Sequence, residues 1–184
     1  MKLKSVKRFL VKHRRPLLLI LVTLSSIWLW TSGTIERFVL KMGDYGYVGA
    51  FLGGFFYSYG ATSPFAVVLF SALSENLNLT VAALIGGFGA MVSDYLIFKN
   101  VKEQLKKPIR IDHHRIKIPK IKSKLFFLLS LPLAAFILAS PLPDELAAVL
   151  LGLEEFDDKA FVLISFSFNS LGLLAIMHIA KALI

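Results

Sequence analysis

The stretch ILASPLPDELAAVLLGL, residues 137–153, places two prolines and two adjacent carboxylates inside a long apolar segment. The Leu, Ala and Val residues on both flanks are too numerous for an ordinary soluble loop. A plain membrane-spanning helix is also a poor description, because Pro141 and Pro143 remove backbone donors and the carboxylates of Asp144 and Glu145 are costly in a bilayer. The stretch therefore predicts a break in an apolar helix at membrane depth.

The composition of the chain supports a membrane location. Of its 184 residues 56% are hydrophobic and 18% are charged, with a mean hydropathy of +0.69, a balance typical of polytopic membrane proteins. The sequence has no cysteine and no nucleotide-binding, nucleophile-triad or zinc-site spacing, and His113 beside His114 is a weak metal signal. We therefore expect neither an enzyme nor a protein with a cofactor or metal.

The net charge of +9 is concentrated in two basic segments. Residues 1–15 carry seven Lys and Arg and no acid, and residues 99–124 carry ten against two acids. Nucleic-acid binding is one interpretation of such segments, but both border long apolar stretches. We therefore expect a cytoplasmic tail and a cytoplasmic loop, with membrane lipids, through anionic headgroups at the 99–124 loop, as partners and no nucleic acid.

An N-terminal transmembrane helix is predicted over residues 16–35. The apolar run closes on Trp28 and Trp30, which suit a membrane interface, and the following SGTI extends it. A cleaved signal peptide is the competing interpretation, but WTSGT lacks a small-x-small cleavage site. We favour an uncleaved anchor with a cytoplasmic N-terminus.

The number of membrane crossings identifies a segment that does not cross. Three apolar segments separate the two basic regions, yet an even number of crossings is needed if both regions are cytoplasmic. Ser63 and Pro64 split residues 45–76 into arms of about 15 and 10 residues, each too short for a core of about 30 Å. We therefore predict a re-entrant hairpin over 45–76, followed by a transmembrane helix over 79–98.

The same pattern recurs after the basic loop. Ser140 and Pro141 break residues 125–153, and a complete transmembrane helix follows over 158–184. The predicted fold is therefore an all-α polytopic membrane protein with an inverted repeat of two units, 45–98 and 125–184, each a re-entrant hairpin plus one transmembrane helix. This arrangement predicts an external C-terminus in the cell membrane and hairpin tips that meet near the midplane.

Several segments together resemble one membrane-protein family. The glycine-rich GYVGAFLGGFFYSYGATSP, the helix AALIGGFGAMVSDYLIF, then ASPLPDELAAVLLGL and FNSLGLLAI look like the DedA, or VTT-domain (SNARE-associated), superfamily, in the manner of a distant small prokaryotic relative, over residues 43–180. Pro141-x-Pro143-x-Glu145 is similar to that superfamily's motif on a re-entrant hairpin. The resemblance implies movement of lipids between leaflets, including polyprenyl phosphate carriers, and proton-dependent function.

The sequence departs from this pattern in its arginines. The hairpin arginines that the resemblance implies for binding lipid phosphate have no counterpart, since Arg37, Arg110 and Arg115 fall in predicted loops. A transporter or lipid translocator, proton-coupled and with its site at the hairpin tips, remains the favoured function. The alternative is a membrane scaffold that organises lipids or partners through its basic loop.

Ten residues are candidates for substrate or proton binding because they are polar or break a helix within apolar segments. They are Asp144, Glu145, Ser140, Pro141, Pro143, Ser63, Pro64, Glu75, Asp94 and Asn169. Of the two adjacent acids, Glu145 is favoured as the titrating group because the resemblance places it in the motif. Asp144 is expected to cap the half-helix or to assist.

Each of the other polar candidates has a structural alternative. Glu75, with Asn78, can cap the helix that starts at Leu79. Asp94 is expected about one turn from the end of its helix, where it can pair with Lys99 instead of relaying protons. Asn169, with its neighbouring serine, can hydrogen-bond to another helix.

Small residues four apart predict close helix packing. Gly49 and Gly53 form one such stripe, and Ala82, Gly86 and Ala90 form another. Stripes of this kind let helix backbones approach closely in a membrane. We therefore expect the first hairpin to lie against the 79–98 helix.

Overall fold

The computed structural model describes residues 14–106, 109–111, 114–116, 124–153 and 156–183. Within these ranges the fold is helical apart from a two-stranded antiparallel ribbon, which confirms the predicted helical class. The helices are α1 (Arg14–Thr31), α2 (Thr34–Met42), α3 (Gly46–Tyr57), α4 (Ser63–Asn76), α5 (Leu79–Lys106), α6 (Lys124–Leu138), α7 (Glu145–Leu153) and α8 (Asp158–Leu183). The strands are β1 (Ile109–Ile111) and β2 (His114–Ile116).

Two helices, α5 and α8, are long and apolar enough to cross a membrane. Their 28 and 26 residues correspond to roughly 40 Å each at 1.5 Å per residue. They pack antiparallel, because Lys102 of α5 pairs with Asp158 at the start of α8, whereas Gly87 of α5 meets Ser170 farther along α8. The two complete helices of the predicted repeat are thus neighbours of opposite direction.

The N-terminal helix is shorter than predicted. It ends at Thr31, and Gly33 adopts a left-handed conformation with φ of 61°, which stops the helix before SGTI can extend it. A separate helix, α2, follows, so Arg37 lies in a helix and not in a loop, and its guanidinium donates to the carbonyl oxygens of Ser32 and Gly33. The predicted tail lies mostly outside the described residues.

Helix α5 extends beyond its predicted end at residue 98. It continues to Lys106, because NVKEQLK is polar but contains good helix formers; hydropathy marks the end of the apolar run and not the end of the helix. The prediction that residues 99–124 form a loop is therefore wrong for the first eight, and the ribbon β1–β2 occupies part of the rest. At the other end, the Oδ1 of Asn78 accepts from the backbone N–H of Val81, which confirms the predicted cap.

Both interrupted segments are pairs of short helices. The first breaks between Tyr57 and Ser63, with arms of 12 and 14 residues in place of the expected 15 and 10, and the second breaks between Leu138 and Glu145. Pro64 lies in the first turn of α4, where its missing N–H is tolerated. The 14 residues of α4 span only about 21 Å at 1.5 Å per residue.

Two apolar clusters form the core, and each occupies one end of the α5–α8 pair. The first includes Ala82 of α5 and Leu173 of α8, and the second includes Phe98 of α5 and Phe161 of α8. The stretches of α5 and α8 between these positions carry buried polar side chains. A polar layer therefore separates the two clusters.

Candidate functional site

The two helix breaks meet at the polar layer. Ser63 Oγ, at the start of α4, donates to the carbonyl oxygen of Pro141 at 3.1 Å. The backbone N–H of Asp144 donates to the carbonyl oxygen of Ser58 at 3.4 Å. At Gly60 an added Cβ would lie 2.7 Å from Cγ of Pro143, so this position needs a glycine for the close approach of the two turns.

Asp144 carries a buried carboxyl group from the second break into the interior. Its side chain is 1% exposed, and neither carboxylate oxygen accepts a hydrogen bond from the described backbone. Its carbonyl oxygen accepts from the N–H of Ala148, so Asp144 precedes α7 at the cap position without capping through its side chain. The carboxylate of Asp144 therefore does not cap α7, as one interpretation of the sequence expected.

Asp94 of α5 lies opposite Asp144. It is 1% exposed, and its Oδ2 accepts from Ser165 Oγ and from Asn169 Nδ2, both at 2.7 Å. The carboxyl groups of Asp94 and Asp144 are close enough to interact electrostatically, but no hydrogen bond joins them among the described residues. Because α5 continues to Lys106, Asp94 is twelve residues from the helix end, and it does not pair with Lys99 as one interpretation required.

Two residues at the end of α3 complete the surroundings of the acid pair. Ser58 Oγ lies near both carboxyl groups but donates its one hydrogen to the carbonyl oxygen of Ala90, at 3.2 Å. Tyr57 is fully buried and close enough to Asp94 and Asp144 to interact with them electrostatically. In the part of the chain that the structure describes, neither acid forms an ion pair.

Unpartnered polar atoms are concentrated at this site. Buried groups without a hydrogen-bond partner are rare in proteins, and each costs about 1–3 kcal/mol. The buried side-chain atoms without a partner among the described residues are Tyr57 Oη, Ser93 Oγ, Asp94 Oδ1, Asp144 Oδ1 and Oδ2, Glu145 Oε2, Asn169 Oδ1 and Ser170 Oγ. Water or a ligand must supply the missing partners, which makes this junction the candidate binding site.

One end of the site is closed by an aromatic pair. The rings of Phe98 and Phe161 stack with centroids 4.0 Å apart and planes 8° apart, one helical turn beyond Asp94 and Ser165. Lys102 lies 5.1 Å from the centre of the Phe98 ring, and its Nζ donates to Asp158 and to the carbonyl oxygen of Phe156. These contacts join α5 to the start of α8 and cover the polar layer from that end.

The structure brings together most, but not all, of the residues predicted from the sequence. Those at the junction are Ser63, Pro141, Pro143, Asp144, Asp94 and Asn169. Ser140 turns its hydroxyl back to the carbonyl oxygen of Ile137, and Glu145 is only half-buried in the first turn of α7. Glu75 is exposed near the far end of α4, about 18 Å along that helix from Ser63.

Four residues of the site were not predicted: Tyr57, Ser58, Ser93 and Ser165. Ser165 was detectable, because it precedes Asn169 by four residues and so lies on the same face of α8. Tyr57 and Ser58 fall in YSYGATSP, where nothing in the sequence distinguishes them from Tyr59. Only the folded contacts show that they face the acids.

The structure, over the ranges it describes, has no group of three or more His, Asp or Glu that could hold a metal. His178 is exposed, with its Nδ1 2.8 Å from the carbonyl oxygen of Leu174, and His113 lies outside the described residues.

No family model, no curated protein and no solved structure matches this chain. Its function is therefore inferred from the geometry of the site.

Proposed function

We propose that the chain is a multi-pass membrane transporter or lipid translocator in which Asp94 and Asp144 form a proton-binding pair. The observation that carries this proposal is the placement of two buried carboxyl groups close to each other, without a described cationic partner. Ionisable groups at membrane depth are costly and mark ion, proton or substrate pathways. The resemblance to the DedA superfamily is part of the same proposal.

The proposed membrane arrangement is an inverted repeat. The pairs α3–α4 and α6–α7 are re-entrant hairpins, and α5 and α8 are the crossing helices. Support comes from the short arms, from the antiparallel packing of α5 and α8, and from the contact between the two breaks. Transporters built this way place their sites where discontinuous helices meet.

The hydrogen bonds around the acids suggest how they share a proton. Two donors, Ser165 and Asn169, converge on one oxygen of Asp94, which stabilises that group as a carboxylate. Asp144 lacks such donors, so we assign the proton to Asp144, facing Asp94. Loss or gain of this proton changes the force between α5 and the second hairpin, and so couples protonation to movement of one unit against the other.

The proposed mechanism also requires that the site open to each side in turn. In this structure the Phe98–Phe161 stack and the Lys102–Asp158 pair cover one end of the polar layer. Opening at that end requires α5 and α8 to separate there. The two breaks, whose turns contact each other, are the elements that move with Asp144.

Reconstitution tests the proposal. Purified protein in vesicles with a pH gradient is assayed for proton flux with a trapped pH-sensitive dye, and for lipid movement with fluorescent lipids. We expect activity in the parent and in Glu103→Gln, whose exposed acid lies on the same helix as Asp94, and loss in Asp94→Asn. Full activity of a folded Asp94→Asn variant would contradict the proposal and favour the membrane scaffold.

A further inference from the structure

We infer that Asp94 and Asp144 together bind a small alkali cation, of the size of Li⁺ or Na⁺, in exchange for a proton. The inference rests on the proposed function for its role in transport. Binding itself can be measured without transport. If the proposed transport is correct, this cation is the ion that exchanges with the proton.

The free groups at the site are oxygens. Asp94 and Asp144 contribute unpartnered carboxylate oxygens, Asn169 contributes its carbonyl Oδ1, and Tyr57 contributes its hydroxyl. Asn169 and Tyr57 are both fully buried, so water at the protein surface does not satisfy them. Hard oxygen donors of this kind suit alkali and alkaline-earth cations and not softer transition metals.

The orientation of Asn169 strengthens the assignment. Its Nδ2 donates to Asp94 Oδ2 at 2.7 Å and to the carbonyl oxygen of Ser165 at 3.0 Å. The reverse orientation would put the amide oxygen against two acceptors, so the hydrogen-bond network fixes Oδ1 as the free end. A buried amide oxygen beside two carboxyl groups is an acceptor for a cation.

The charges facing the pair exclude an anionic ligand. Tyr57 from α3, Ser63 from α4, and Ser165 with Asn169 from α8 are neutral, and Glu145 adds a further acid beside Asp144. The nearest basic side chains on α5 are Lys99, which is exposed, and Lys102, which is engaged with Asp158; they lie about 8 and 12 Å along the helix from Asp94. Phosphate would find no described cation to bind, whereas a cation finds two carboxyl groups.

The charge and the size of the bound ion follow from the charge of the acid pair and from the closeness of its two carboxyl groups. With one proton the acid pair has a net charge of −1, and it has the same charge when one monovalent cation replaces that proton. A one-for-one exchange therefore leaves the net charge of this buried site unchanged, which a low-dielectric surround favours. Two buried carboxyl groups that face each other can share one small ion, whereas Mg²⁺ retains several waters that the packed junction would have to hold.

The test is cation-dependent thermal unfolding of the full-length protein in detergent. LiCl, NaCl, KCl, MgCl₂ and CaCl₂ are compared with choline chloride at equal ionic strength, at mildly acidic and mildly alkaline pH. We expect Li⁺ or Na⁺ to raise the midpoint, because a ligand that binds only the folded state stabilises it. Competition with one proton should weaken the apparent affinity by about tenfold for each pH unit on the acidic side.

Variants show whether the effect belongs to the site. Asp144→Asn should abolish the cation-dependent shift, and Asn169→Ala should weaken it at least severalfold, while Glu103→Gln keeps it. Asn169→Ala also serves if the aspartate variant does not fold. Overturning results are a midpoint equal to that in choline at alkaline pH, a shift with divalent ions alone, or a parental shift in Asp144→Asn.

Flux measurements separate this inference from the proposed function. Cation binding without any flux in vesicles would leave the site intact and reject transport. Proton-driven flux of equal rate in sodium and in choline, without a cation-dependent shift, would keep transport and reject the cation.

Discussion

Asp144 and Glu145 are adjacent in sequence but occupy different environments. The Asp144 side chain is buried against Asp94, whereas Glu145 begins α7 and is half-buried. A residue that holds a proton inside the protein must be buried, as Asp144 is. The resemblance to a family motif favoured Glu145, and the geometry favours Asp144.

The first prediction separates these two acids. Asp144→Asn should lower proton-coupled activity in vesicles by at least about tenfold, because it removes the titrating group while keeping the shape of the side chain. Glu145→Gln should retain activity within a factor of about three, since its side chain is only half-buried at the start of α7 and has no described hydrogen bond to Asp94. If Glu145→Gln is the inactive variant and Asp144→Asn is active, the assignment of the proton to Asp144 is wrong.

The second prediction concerns the donors to Asp94. Ser165→Ala removes one of two hydrogen bonds to its Oδ2 and should lower the free energy of unfolding by roughly 0.5–1.5 kcal/mol. Ser167→Ala is a matched control two residues along α8, because Ser167 donates to the carbonyl oxygen of Leu163 in its own helix. Chemical denaturation in mixed micelles measures both. Equal effects of the two variants would show that the bond to Asp94 contributes nothing specific.

The sequence could predict the residues of the site better than their partners. Asp94, Asp144 and Asn169 are identifiable because a polar side chain within an apolar run is rare and conspicuous. Their mutual contacts depend on the rotation of α5 and α8 about their axes, which no local pattern determines. For the same reason Tyr57 was missed, since a tyrosine in a glycine-rich apolar helix has no distinguishing signal.

At the scale of elements, glycines determine how closely α3 and α5 approach. A Cβ added to Gly54 would lie 1.9 Å from the carbonyl oxygen of Gly86, and one added to Gly89 would lie 2.1 Å from that of Phe51. These are contacts with backbone, which cannot move aside as a flexible side chain can. Close packing on this helix is confirmed for α3, although Gly54 and Gly89 lie outside the two predicted stripes.

The third prediction follows from this contact. Gly54→Ala should lower the midpoint of thermal unfolding, because α3 and α5 must separate and lose packing, at a cost of about 1–3 kcal/mol for overpacking. Gly152→Ala is the control, since its new Cβ would meet only ends of side chains, Leu105 at 3.1 Å and Val101 at 3.7 Å. There the better helix propensity of alanine should offset the contact. A Gly54→Ala variant as stable as Gly152→Ala would refute the close approach.

Element boundaries were predictable where turn chemistry is local. Asn78 before α5 and Pro64 in the first turn of α4 are local signals, and both lie where the sequence indicated. The ends of α1 and α5 were not predictable, because hydropathy shows where the apolar run ends and not where the helix ends. Gly33 and the helix-forming residues after Phe98 decide where these helices stop.

At the scale of the whole molecule, the antiparallel packing of α5 and α8 constrains the topology. If both helices cross the membrane, the start of α5 and the end of α8 lie on one side, and the Lys102–Asp158 pair lies on the other. The sequence could predict this alternation from the basic segments alone. It could not show that the two crossing helices are direct neighbours, because that depends on contacts between distant residues.

The fourth prediction tests this topology with single cysteines, since the chain has none of its own. Asn76→Cys and Lys181→Cys should react with an impermeant maleimide added to intact cells, and Glu103→Cys should react only after the membrane is opened. All three parent residues are exposed, so access through the protein is not limiting. Labelling of Glu103→Cys in intact cells would place the basic segment outside and contradict the arrangement.

The hydrogen bonds of Asp94 also impose an order on biosynthesis. Its donors Ser165 and Asn169 lie 71 and 75 residues downstream, so they do not exist when α5 leaves the ribosome. At about 5–20 residues per second, Asp94 waits roughly 4–15 seconds for them. In the proposed membrane arrangement α5 is inserted with this acid unpaired, at a cost of about 3 kcal/mol that the rest of its apolar surface must offset. In that arrangement, a nascent chain that stops before α8 leaves Asp94 in the bilayer without its hydrogen-bond donors. The fold is therefore completed only when the last helix has been synthesised and packed.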